Sequence, residues 1–184
     1  RFGGLKPSCV VLVATIRALK YNGGVPKAEL TAENVEALEK GVVNLKTHIE
    51  NMHKFGLPVV VAINRFHTDT DAEIEVIKRV CAELNTPVSL AEIFAKGGEG
   101  GTDLAQKVCD TIETAENNFH YLYDEKLSIK EKLDTIAKEI YRADGVIFTK
   151  QAEKALKEIE DLGFGGTPVC VAKTQYSLSD DPTK

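Results

Sequence analysis

The chain has 184 residues, 43% of them hydrophobic and 28% charged, with a net charge of -5 and a pI near 5.5. That is enough chain to bury one globular core, and too acidic for a nucleic-acid footprint. No apolar stretch approaches the roughly 18 residues that span a bilayer, and the N-terminus lacks the basic-then-apolar layout of a signal peptide, so a membrane is not an expected partner either.

In chain order, the first β-branched run is "CVVLVATI" (9–16), read as a buried strand. "RALKYNGG" follows it, bringing Arg17, Lys20 and a Gly23-Gly24 turn. Val35, Leu38, Val42, Leu45, Ile49 and Met52 then recur at alternating spacings of three and four, which predicts a helix of about six turns with one apolar stripe. A second strand is expected in "PVVVAIN" (58–64), and "TDAE" (70–73) fits a capping box that starts a helix. The third strand is read in "PVSLAEIF" (87–94), followed by glycines and a helix over 103–117 with Leu104, Val108 and Ile112 on one face. "SIKE" (128–131) is a second capping box, "GVIFT" (145–149) and "PVCVAKT" (168–174) are further candidate strands, and a helix over 151–162 is stopped by Gly163.

Alternating strand and helix predict right-handed crossovers and an α/β fold, doubly wound, with a mostly parallel sheet and helices on both faces. Core units are expected over 1–125 and further αβ units over 126–184. Cys9, Cys81, Cys109 and Cys170 are far apart among apolar neighbours, as reduced core cysteines are, which favours a cytoplasmic setting. The chain starts at Arg1 and ends in "SLSDDPTK" after an apolar run, the expectation being a piece of a longer protein.

Ligands of such sheets sit outside the carboxyl ends of the strands, so the loops after the apolar runs are the places to look. "EIFAKGGEGGTD" (92–103) is no Walker-type cradle, because Lys96 precedes the glycines and Glu99 and Asp103 would repel phosphate. It is either a turn alone or the frame for Phe94. In "VVVAINRFHTDT", Phe66 at a strand end is either a lid on the core or a stacking platform for a flat heterocycle. If the second and third strands pair, Phe66 and Phe94 face one ligand. Gly23 and Gly24, with Arg17 and Lys20 nearby, offer either an anion site or an ordinary short helix end. His48 and His53 are five apart, off the spacing of a two-histidine metal site, and no metal is expected. No serine lies in G-x-S-x-G and no cysteine has an evident histidine partner, so no nucleophile is assigned.

Two resemblances meet at these loops. "VVVAIN" with "AKGGEGG" resembles the second half of a small GTPase, but Arg65 and His67 stand where guanine recognition uses lysine and aspartate, with Asp69 displaced by two. Over the whole chain, "VATIRALKYNGG", "NLKTHIENMHKFGLPVVVAINRFHTDT", "EIFAKGGEGGTDLA", "YLYDEKLSIKEKLDTIAKEIYRADGV" and "VCVAKTQYSLSDDP" resemble the formate-tetrahydrofolate ligase family. The resemblance covers about a third of that family's chain, in its carboxyl-terminal half, and implies a lineage akin to P-loop NTPases whose ATP loop lies upstream.

It further implies ligation of formate to tetrahydrofolate through formyl phosphate, driven by ATP with Mg, in a homo-oligomeric parent. A fragment lacking the ATP loop is expected to be inactive alone, its catalytic residues unassigned. A non-catalytic scaffold is the remaining alternative. By motif, Phe66 and Phe94 take the positions of the aromatics that stack the pterin, and His67 and Leu90 line the same pocket. Phe94 stands where the family usually has tryptophan and His67 where proline is usual. Gly23 and Gly24 would support the formyl phosphate.

Overall fold

The computed structural model describes residues 3–171 and 178–179, and the chain divides into two units, 1–119 and 120–184. In the first unit three strands, β1 (Val10–Ala14), β2 (Val59–Asn64) and β3 (Val88–Ala91), form a parallel sheet in the order β1-β2-β3. Val10 stands opposite Val59, and Ile63 opposite Leu90. Continuous β-branched sequence suits the central strand, and β2 is buried from Val59 to Ile63.

The first strand ends earlier than the sequence predicts. The Thr15 hydroxyl accepts from the Ala18 N–H and caps α1 (Ile16–Asn22), so Ile16 belongs to a helix. α2 (Val35–His53) has 19 residues, about five turns rather than six. It buries Leu38, Val42, Leu45 and Ile49 as the stripe requires. α3 (Asp71–Glu83) starts at Thr70, whose hydroxyl takes the Glu73 N–H while Glu73 returns to the Thr70 N–H, completing the expected capping box. Side chains of α1, α2 and α3 meet Val61 and Ile63 in one apolar cluster on one face of the sheet. α5 (Thr102–Thr114) covers part of the other face: the Ser89 hydroxyl donates to Asp103, and Lys107 donates to the Val88 carbonyl. Beyond its reach, Val11 and Val13 of β1 stay exposed.

α5 begins and ends close to expectation but turns differently. Thr111 is buried and Ile112 exposed, so the expected stripe of Leu104, Val108 and Ile112 is rotated at its last position. The third strand is also cut short: after Ala91 the chain enters a one-turn helix α4 (Ile93–Lys96) and a 3-10 turn over Gly97–Gly101. The Glu92 N–H donates to the Gly100 carbonyl at 3.0 Å, and a Cβ at Gly100 would stand 2.5 Å from the Glu92 oxygen, so the turn closes only on glycine.

The second unit contains α6 (Ile129–Glu139), started by the predicted Ser128–Glu131 capping box, and α7 (Lys150–Asp161), followed by Gly163 at φ 84. Neither remaining candidate strand is one over its described residues. The segment 145–149 carries Ile147 at 96% exposure, and 168–171 has no strand partner. A β-branched run becomes a strand only where another strand pairs with it, and Val169 instead turns to a side chain: the Tyr123 hydroxyl accepts its N–H at 2.9 Å and donates to its carbonyl at 3.1 Å. Residues 172–177 and most of "KTQYSLSDD" lie outside the described residues.

All four cysteines are free, but only Cys81 is buried, and burial pushes its thiol up to about 11. Cys9 is half-buried, and Cys109 and Cys170 are exposed, which corrects the expectation that all four sit in the core. No helix of the described residues is long and apolar enough to cross a membrane.

Candidate functional site: a cleft at the strand ends

Because β1, β2 and β3 are parallel and adjacent, their carboxyl ends open on one side, and a cleft of about 730 Å³ lies there. The first turn of α1, directly after β1, gives it Arg17. The loop after β2 gives Asn64, Arg65, Phe66 and His67, and the turn after β3 gives Glu92, Phe94 and Ala95. Pairing of β2 with β3 therefore brings Phe66 and Phe94 to one cleft. Phe66 is half-buried, His67 exposed, and Phe94 99% exposed. A phenylalanine with its whole surface in water contributes nothing to the core.

The Phe66 loop is held from within. Asp69 is 6% exposed, and its Oδ2 accepts the Phe66 N–H at 2.8 Å while its own N–H donates to the Phe66 carbonyl at 3.0 Å. One oxygen of the Asp69 carboxylate thus closes its own turn, while Oδ1 is buried with no hydrogen-bond partner among the described residues. The Arg65 N–H donates to the Ala91 carbonyl at 3.1 Å, extending the β2–β3 pairing to the loop's first residue.

Charges tie the two aromatic loops together. Arg65 Nη1 reaches Glu92 Oε1 at 3.2 Å and its Nη2 stands 3.6 Å from Asp71, while Lys96 Nζ reaches Glu92 Oε2 at 2.6 Å. The Lys96 hydrogen bond, helped by the charges of Lys96 and Arg65, holds the Glu92 carboxyl below its ordinary range. Arg65 adjoins Phe66, and Glu92 and Lys96 flank Phe94, so this pairing fixes one aromatic loop against the other.

The remaining expected site residues lie elsewhere. Leu90, opposite Ile63 in β3, is half-buried against the core cluster and is not among the residues lining the cleft. Gly23 and Gly24 close α1 beside Glu29, Glu36 and Lys40, away from the aromatics. Their N–H groups donate to the Leu19 and Tyr21 carbonyls, and a Cβ on Gly23 would come within 1.8 Å of the Ala37 oxygen. Close packing of α1 on α2 accounts for Gly23. Lys20, expected near an anion, is buried with its Nζ 2.8 Å from Glu73 and 2.7 Å from the Ala32 carbonyl.

Arg65 and Glu92 are the pair that sequence reasoning passed over. Each sits beside a singled-out aromatic, which was the available signal, but only the pairing of β2 with β3 reveals that they meet. Among the described residues, no three His, Cys, Asp or Glu side chains converge to hold a metal ion. Compared with known families, the chain matches the family described as Formate--tetrahydrofolate ligase over residues 1–184.

Proposed function

The chain belongs to the formate-tetrahydrofolate ligase family, and from that premise we infer that the strand-end cleft holds the pterin of tetrahydrofolate. The observation that carries this is the meeting of Phe66 and Phe94 from adjacent strand ends at one cleft, with Phe94 fully exposed in the free chain. A flat heterocycle laid on Phe94 removes that ring from water and gains a stacking contact of about 1 to 3 kcal/mol per aromatic. Asn64, at the end of β2, offers both a donor and an acceptor to the amide edge of a pterin. His67 forms part of the open wall.

In the ligation this cleft orients the acceptor. A pterin held by stacking carries the N10 nitrogen at a set distance and direction, and that positioning is how a binding cleft lowers the barrier to formyl transfer. The charge chemistry of the phosphoryl step belongs elsewhere. ATP with Mg would supply the activating phosphoryl group, but the sequence has no Walker-type loop and no carboxylates converge for a metal among the described residues, so those residues do not fit that group. The chain on its own is therefore a folate-binding part that does not complete the ligation.

Calorimetric titration checks both statements. Tetrahydrofolate should bind, Phe94→Ala should weaken it at least tenfold, and guanine nucleotide should give no heat. Binding of guanine nucleotide without folate, or folate affinity indifferent to Phe94, would overturn the assignment. Formate and ATP added to the chain with tetrahydrofolate should yield no 10-formyltetrahydrofolate, and its appearance would contradict the inactivity.

A further inference from the structure

Arg17 enters the cleft from the first turn of α1, directly after β1, the one strand end to which the folate reading gives no task. Its guanidinium carbon lies 4.3 Å from the centroid of the Phe66 ring, at cation–π distance. Its Nη2 donates to the Thr68 hydroxyl at 3.2 Å, so the guanidinium is anchored to the same loop that carries the ring. Its Nε is buried and finds no hydrogen-bond partner among the described residues. Hydrogen bonding alone thus does not explain where this side chain lies, whereas the ring beneath it does.

We propose that Arg17 is a positioning residue of the folate cleft, which covers one face of Phe66 and leaves the other face as the stacking platform. The inference rests on the folate reading above and deepens it. Two consequences follow from the geometry. A guanidinium plane on one face blocks that face to a ligand and holds the ring against rotation, so that the pterin meets one orientation rather than several. A cation on that face also draws electron density away from the opposite one, which lessens the repulsion between two stacked π faces. Neither effect needs Arg17 to touch the pterin.

The test is a double-mutant cycle in the 184-residue chain, read by calorimetric Kd for tetrahydrofolate. Arg17→Met should raise Kd about fivefold, the size a partly desolvated cation–π contact supports. Arg17→Lys, which keeps the charge, should restore part of that loss. In a Phe66→Ala background, where the ring is gone, Arg17→Met should change Kd less than twofold. Equal losses from Arg17→Met with and without the ring, or no loss in either, would overturn the proposal while Phe94→Ala still reports the folate site. A chain that binds no tetrahydrofolate at all would remove both readings. Thermal unfolding of each variant separates a misfolded chain from a repositioned ring, and Thr68→Val, which only frees the guanidinium, should give a smaller loss of the same sign.

Discussion

The two units of the molecule give their apolar residues different things to pack against. In the first, β2 lies between two strands with helices over its faces, and Val60, Val61 and Ile63 are wholly buried. In the second, Ile129 and Leu156 are the buried apolar residues among those described, while Ile147 stands 96% exposed. The same contrast holds for charge. Among the described residues each unit buries one lysine: Lys20 meets the Glu73 carboxylate at 2.8 Å, and Lys132 donates to the neutral Thr167 carbonyl at 3.1 Å. The lesson is that β-branched sequence is permissive, and that partners decide whether it becomes core.

Removing Lys20 should have the largest effect. Lys20→Met strands the Glu73 carboxylate in the core and should cost about 3–5 kcal/mol in urea unfolding. Lys132→Met leaves only a carbonyl unpaired among the described residues and should change stability by no more than about 1 kcal/mol. Equal losses would erase the difference between the units. The Lys20–Glu73 pair also fixes an acid dependence. Burial pushes the Glu73 carboxyl up, but the hydrogen bonds from Lys20 and from the Asn34 and Thr70 N–H groups, with the Lys20 charge, outweigh it and leave its pKa below the ordinary 4.5. A depressed carboxyl contributes stability that is present above pH 4.5 and is lost as pH falls through the folded value. The wild type should therefore lose stability below pH 4.5, and Lys20→Met should lose less of it there.

Truncating core is next in size. Ile63→Ala should cost about 2–5 kcal/mol, whereas Ile147→Ala should stay within about 0.5 kcal/mol, both from urea midpoints. A large loss at Ile147 would mean that its segment is packed after all. Gly23→Ala, which drives a Cβ to 1.8 Å from the Ala37 oxygen, should cost about 1–3 kcal/mol, and Gly98→Ala, with nothing within 4 Å, should cost less. A neutral Gly23→Ala would return that turn to candidacy as an anion site.

The smallest effects sharpen the comparison most finely, because both units contain the same device. Thr70→Ala and Ser128→Ala each remove a capping box and should each cost about 1 kcal/mol. Thr70→Ala should cost more, since the Glu73 that the Thr70 hydroxyl helps to hold also pairs with Lys20.

Where function was legible in the sequence, local chemistry carried it. Both capping boxes, the α2 stripe and the central strand are set by residues a few positions apart. The convergence of Phe66 and Phe94 needed only the pairing of two strands, a modest step from pattern to fold. What stayed hidden depends on distant partners. The continuation of β3 to Phe94 failed because the Glu92 N–H turns back to the Gly100 carbonyl. Gly23 read as either an anion turn or a helix end, and its close approach to Ala37 of α2 lay outside the sequence, while Arg17 over Phe66 joins side chains 49 positions apart in the chain.

The central claim, that the paired strand ends hold a pterin, is tested most directly by following backbone amide chemical shifts as tetrahydrofolate is added to the 15N-labelled chain. The account predicts the largest shifts at Asn64–His67 and Glu92–Lys96, with Gly23 and Gly24 unmoved. Shifts centred on Gly23 and Gly24, or none at either aromatic loop under saturating ligand, would contradict it.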